Sequence, residues 1–168
     1  MGSWRSLVLV AVSAGLFGCD HATKVVAEHE LGTGRVVTLV PRVLELRYAQ
    51  NDDVAFSALR GWEIPHKEAV LLALSLVVLA LTALAWIRHR RRTASWDLGD
   101  IGFALVLAGA LGNVADRLAR GYVIDFIHLT HWPVFNVADA FIVLGLIALG
   151  LSRSKARASP TSVVSPRA

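Results

Sequence analysis

Two aspartates, Asp125 and Asp139, stand where ionisation is costly, which is the setting in which carboxylates do acid–base work. Asp125 lies in Tyr122-Val-Ile-Asp-Phe-Ile127, flanked by apolar residues, with no lysine or arginine closer in sequence than Arg120. Asp139 lies in Phe135-Asn-Val-Ala-Asp-Ala140, and Asn136, three residues earlier on the same helical face, can orient it by hydrogen bonding. If the two carboxylates meet, repulsion and desolvation make the pair share a proton. The ionised member then takes a proton from water attacking an amide carbonyl, and the protonated member polarises the carbonyl oxygen. Such chemistry needs no metal, no cofactor and no nucleophilic side chain. The residues alone leave open which aspartate takes which role.

Other polar residues stand in or beside apolar stretches: Asp20, Lys24, Asn113, Asp116, Arg117 and Asn136. An ionisable group at membrane depth costs at least a few kcal/mol, so such groups face a bundle interior and have partners. Asp20 and Lys24, spaced i and i+4, fit a structural ion pair on one helical face. Asp116 and Arg117 are adjacent and point apart on a helix, so each needs another partner.

Elements that could gather these residues are membrane helices. The chain has 168 residues, 55% of them hydrophobic and 18% charged, with a mean hydropathy of +0.55, which excludes an ordinary soluble domain. Four spans are predicted, at about 4–22, 69–87, 98–115 and 134–151, each near the length needed to cross about 30 Å of hydrocarbon. Arg5 is expected to snorkel at the start of the first. Together they form one polytopic domain over residues 1–152. Arg88, Arg90, Arg91 and Arg92 follow the second span, and Arg153, Lys155 and Arg157 follow the fourth. Basic short loops mark the cytoplasmic side. Both termini are therefore expected in the cytoplasm, with 23–66 and 116–133 outside and the polar cluster near the outer face. The net charge of +4 is then topological and calls for no nucleic-acid partner.

Within the larger outer segment, Val36–Val40 and Val43–Tyr48 are rich in β-branched and apolar residues around Pro41, predicting a small extracytoplasmic β platform on an otherwise all-α membrane protein. Residues 153–168 read as a basic, disordered tail with Pro160 and Pro166. Trp62, Trp86, Trp96 and Trp132 fall near predicted interfaces. Gly99, Gly102 and the run Ala108-Gly-Ala110 permit close helix approach.

Five motifs occur in order: Asp20-x-x-Thr23-Lys24, Asn51-x-x-x-Ala55-Phe56-Ser57, Gly112-Asn113-x-x-Asp116-Arg117, Val123-Ile-Asp125-Phe126 and Phe135-Asn136-x-Ala138-Asp139. Jointly they resemble the bacterial lipoprotein signal peptidase (signal peptidase II) family over roughly residues 5–150. The resemblance implies an aspartyl endopeptidase of the bacterial inner membrane, working as a monomer with a catalytic dyad at Asp125 and Asp139. Asn51, Asn113, Arg117 and Asn136 would line the site, with Asp20, Lys24 and Asp116 in support. Its substrates would be diacylglyceryl-modified prolipoproteins, cut on the N-terminal side of the lipidated cysteine, and membrane lipids would be its other partners. The family usually has Gly where this chain has Asp53, and often where it has Ala108.

Three other readings compete. Leu16-Phe-Gly-Cys19 after Arg5 and an apolar stretch resembles a lipoprotein leader, but three further spans with polar motifs follow, and Cys19 is expected to be a packing residue. Asp125, His128, His131 and Asp139 could ligate a metal, although no His-Glu-x-x-His helix is present. A proton-coupled transporter would place its acidic residues at the midplane of paired repeats, for which four spans leave little room.

Overall fold

The computed structural model describes residues 3–52, 66–93 and 95–158. Among them the order is α1 (Ser3–Leu31), β1 (Val36–Val40), β2 (Leu44–Asn51), α2 (Lys67–Arg92), α3 (Leu98–Arg120), β3 (Val123–Leu129) and α4 (Val137–Ala158). Asp53, Ala55, Phe56, Ser57 and Trp62, singled out above, lie outside the described residues.

The helices α1, α2 and α3 are each long and apolar enough to cross a membrane, and α4 contributes a shorter apolar stretch, Val137–Ser152. All four overrun the predicted spans. The first continues past Ala22 to Leu31 because nothing breaks it before Gly32, and the polar residues from Asp20 onward find partners across the bundle instead of ending the helix. The fourth continues through residues 153–158, expected in the tail, since Arg, Lys and Ala are good helix formers and the first proline is Pro160. Its start is later than residue 134, because Pro133 is followed by an extended stretch before Val137.

Helix α3 is the hub against which α1, α2 and α4 pack. Its contact with α4 is close because glycines remove the intervening side chains. A Cβ on Gly102 would lie 2.9 Å from the Gly145 carbonyl oxygen, and one on Gly145 would lie 2.8 Å from that of Gly102. At the basic end of α2, Arg5 does not snorkel. It is buried and pairs with Asp100 at 3.0 Å, its guanidinium stacked over Trp96, while Asp100 also faces Arg90 at 3.5 Å. Asp100 gives the guanidinium a partner inside the bundle, so it has no need to reach toward the headgroups. Cys19 is exposed on α1 and is not the packing residue expected.

The expected platform is present but has three strands, in the order β1-β2-β3 and antiparallel throughout. β3 lies in the outer segment 116–133, for which no strand is predicted, although Val-Ile-Asp-Phe-Ile carries the β-branched and aromatic composition of a strand. The sheet packs on the end of α1 through Ala27, Leu31, Ile124 and Phe126, with Val37, Leu46 and Tyr48 around them. That packing fixes β3 against the bundle, and with it Asp125.

Candidate active site

Asp125 is carried by β3 and Asp139 by the first turn of α4; three interactions bring them to the same end of the bundle. Gly121 closes α3 in the left-handed conformation, φ 83°, which a residue without Cβ adopts cheaply. The chain then turns into β3, whose Ile124 N–H donates to Asp116 Oδ2 at 3.3 Å on α3. Beyond β3 it folds back, and Phe135 exchanges hydrogen bonds with Ile127 at 2.8 and 2.9 Å. That return delivers Asn136 beside Asp125 immediately before α4 begins.

Asn136 is the N-cap of α4 and Asp139 its third helical residue. The Asp139 N–H donates to Asn136 Oδ1 at 2.9 Å, and the Asn136 N–H donates to Asp139 Oδ2 at 3.4 Å, the reciprocal arrangement of a capping box. Sequence spacing anticipated the pairing but not its consequence. With its oxygen committed to the backbone of Asp139, the Asn136 amide turns its N–H groups to Asp125 Oδ1, at 2.7 Å, and to Asn113 Oδ1, at 3.2 Å. Asn113 Nδ2 in turn donates to Asp139 Oδ1 at 2.8 Å. The other Asp125 oxygen accepts from Asn51 Nδ2 at 2.7 Å. Asn51 reaches it because it pairs with Val123 across the sheet, which makes Asp125 its diagonal neighbour on the same face. Two carboxylates are thus joined by an unbroken run of asparagine amides from β2, α3 and the α4 cap.

The Asp125 carboxyl is 2% exposed. Burial, with the like charge of Asp139 second, pushes it up to about 7, against the lowering effect of the Asn51 and Asn136 amides. Arg117 donates to the Asn113 carbonyl at 3.4 Å and lies within the electrostatic reach of Asp139, Asp125 and Asp116.

Beneath the pair is a fully buried ion cluster. Lys24 meets Asp20 at 2.8 Å, Asp116 at 2.9 Å and Asn113 Oδ1 at 3.0 Å. The expected Asp20–Lys24 pair is present, and the partner that Asp116 required is Lys24, with Arg120 at 2.7 Å. Asp20 Oδ1 also accepts the Ala138 N–H at 2.8 Å, so a carboxylate from α1 stabilises the α4 N-terminus one residue before Asp139. Gly112 makes room for it, since a Cβ there would overlap Asp20 Oδ2, and a Cβ on Gly109 would overlap the Ala138 carbonyl. These two glycines were missed as site residues; their spacing of three along α3 was the available signal.

His128 does not join the aspartates. Three residues apart on a strand, Asp125 and His128 face opposite sides, and His128 lies 3.7 Å from Glu45 instead. Among the described residues, the one group spaced to hold a metal is His89, Asp97 and Asp100 at the opposite, basic end of the bundle.

Apolar helices that gather two carboxyls at one end, Asp125 buried and Asp139 half-buried and both linked through amide side chains, define a class: multi-pass membrane proteins with a carboxyl pair at one end of the bundle. Comparison with known proteins gives the family. The chain belongs to the signal peptidase II family, whose model, described as Signal peptidase (SPase) II, matches residues 12–154. It is similar to the lipoprotein signal peptidase of Pelotomaculum thermopropionicum, with 34% identity over 143 residues, covering 85% of this chain and 89% of the relative. The lipoprotein signal peptidase of Pseudomonas syringae pv. tomato is 35% identical over 169 residues, covering 95% and 89%. Two solved bacterial membrane enzyme structures share the fold: one has a TM-score of 0.78 at 21% identity, covering 95% of this chain and 94% of its own. The other has a TM-score of 0.73 at 22% identity, covering 92% and 94%. The chain is therefore a peptidase and a multi-pass membrane protein.

Proposed function

We propose that this protein removes the signal peptide from diacylglyceryl-modified prolipoproteins, hydrolysing the bond on the N-terminal side of the lipidated cysteine with Asp125 and Asp139 as its catalytic pair. The observation that carries the reading is the amide run Asn51–Asp125–Asn136–Asn113–Asp139, which links a buried carboxyl to a half-buried one. All five side chains come from one chain, so a monomer suffices, and the reaction calls for no nucleic acid.

In the resting pair one proton resides on Asp125, whose carboxyl is held near 7. Water attacks the scissile carbonyl carbon and passes a proton to Asp139, while Asp125 gives its proton to the carbonyl oxygen, producing a neutral gem-diol. Asp139 then protonates the amide nitrogen, the C–N bond breaks, and Asp125 recovers its proton from a gem-diol hydroxyl as the new carboxylic acid forms. The pair returns to its starting protonation. Asn51, Asn113, Asn136 and Arg117 line this site; Asp20, Lys24 and Asp116 support it from below.

Orientation follows from charge. The arginine run at the end of α2 and the basic residues at the end of α4 assign that end of the bundle to the cytoplasm of a bacterial inner membrane. Both termini then lie inside, and the aspartate pair sits near the extracytoplasmic face.

The test is cleavage of a diacylglyceryl-modified prolipoprotein by the purified protein in detergent. Asp125→Asn and Asp139→Asn are each expected to lose about 10²- to 10⁴-fold in turnover while still unfolding cooperatively as folded proteins, and chelators are expected to leave wild type unchanged. Near-normal turnover by either folded variant, or loss of wild-type activity on chelation, would overturn the assignment.

A further inference from the structure

We propose that Lys24 is a positioning residue for the aspartate pair, holding the side chain of Asn113 so that its N–H faces Asp139; this rests on the dyad reading above. An asparagine amide can present either end to a neighbour, and its donors and acceptors choose between them. Lysine has donors only. With Lys24 Nζ 3.0 Å and Asn136 Nδ2 3.2 Å from it, Asn113 Oδ1 is fixed as an acceptor, so its Nδ2 points at Asp139 Oδ1, 2.8 Å away. Asp139 Oδ1 thereby receives an amide N–H, as both Asp125 oxygens do from Asn51 and Asn136, and each such donor favours the ionised form of the pair. The line ammonium, amide oxygen, amide N–H, carboxylate is head-to-tail, an arrangement in which each hydrogen bond polarises the next.

The ammonium that orients this line is built in firmly. Lys24 is 0% exposed, clasped by Asp20 and Asp116, and the pairing continues outward through Arg120 to Glu28, which alternates charge along α1 (Asp20, Lys24, Glu28) and α3 (Asp116, Arg120). The charged groups that face the pair are Lys24 and Asp20 from α1 and Arg117 and Asp116 from α3; Asp125 on β3 and Asp139 on α4 face each other. The charge of Lys24 opposes the upward push on Asp125. Its removal therefore displaces the alkaline limb of the activity profile to higher pH.

Lys24→Met alone strands the buried Asp20 carboxylate, while Asp116 keeps Arg120, and would disturb the fold, so the informative variants are charge-balanced. Asp20→Asn with Lys24→Gln keeps a donor for Asn113 and an acceptor for the Ala138 N–H, and removes one charge of each sign. Asp20→Asn with Lys24→Met removes the donor as well. Asn113→Ala leaves every ion pair intact. Measured as kcat/KM against pH with a diacylglyceryl-modified prolipoprotein, Asn113→Ala is expected to shift the alkaline limb upward, because the aspartate pair loses an amide N–H that favours its ionised form, and to lower kcat more than KM changes. The Lys24→Gln pair, in which a donor remains and the loss of the Asp20 charge offsets that of Lys24, should keep a limb close to wild type. The Lys24→Met pair should lose more, at least tenfold in kcat beyond the Lys24→Gln pair. Adding Asn113→Ala to the Lys24→Met pair should cost little further, because both act on one line. If Asn113→Ala keeps the wild-type limb, or the Lys24 variants lose activity only in step with thermal stability, Lys24 is merely structural and the proposal fails. Asp125→Asn is run alongside: retained turnover there overturns the dyad itself, whereas a dead Asp125→Asn with an unshifted Asn113→Ala limb overturns only the role of Lys24.

Discussion

At the scale of single residues, Asp125 carries a cost to the fold that a stability measurement can read independently of catalysis. Its carboxyl ionises near 7 in the folded protein, against about 3.9 in an unfolded chain. Between those values the native state holds the extra proton, so stability declines as pH rises from about 4 to 7 and stays on the lower plateau above. Asp125→Asn escapes this decline because it cannot ionise. It is expected to gain on wild type progressively across that window, by up to about 4 kcal/mol, less a constant penalty of about 1–3 kcal/mol for turning one amide N–H toward another. Thermal unfolding in detergent from pH 4.5 to 8 checks it; a pH-independent difference between the two proteins would remove burial as the cause. The aspartates were legible in sequence because uncompensated acids in apolar surroundings are rare, and the Asp20–Lys24 pair was legible from its helical spacing. The hydrogen-bond line was not. Which end of each asparagine faces which carboxylate depends on Lys24 and on the Asp139 N–H, contacts made by residues that are far apart in sequence or set by the α4 cap.

Among elements, α3 and α4 do most to position the pair, and their approach depends on glycine. The small residues of α3 were legible as packing positions, but their partners were not: nothing in the sequence says that Gly102 meets Gly145, or that Gly109 meets Ala138 one residue before Asp139. Gly145→Ala is expected to destabilise by about 1–3 kcal/mol, because its Cβ would press on the Gly102 carbonyl and the Val106 nitrogen, backbone atoms that cannot rotate away. Gly18→Ala is the control. Nothing lies within 4 Å of a Cβ there, so only helix propensity changes, and stability should hold or rise by up to about 1 kcal/mol. Equal losses at both positions would mean that α3–α4 proximity is not what Gly145 provides. The strands tell a similar story. β1 and β2 were readable from β-branched runs around Pro41, whereas β3 was concealed by the carboxylate among its apolar residues, which is held there by Asn51 and Asn136.

For the whole molecule, the two ends of the bundle have opposite characters, and that asymmetry makes topology measurable. One end gathers Arg5, Arg90, Asp100 and Trp96 beside the arginine run of α2; the other carries the sheet, the aspartate pair and the loop after β3. Basic residues beside short loops are retained in the cytoplasm, so Ser95, exposed between α2 and α3, should face inward, and His131, exposed at the turn after β3, should face outward. Cys19 is the only cysteine, so Cys19→Ser gives a background into which one thiol at a time can be placed. A thiol introduced by His131→Cys is expected to react with a membrane-impermeant maleimide in intact spheroplasts, and one introduced by Ser95→Cys only after permeabilisation. The reverse pattern would put the aspartate pair on the cytoplasmic side. That result would overturn the orientation proposed from the arginine run and with it the extracytoplasmic placement of the site.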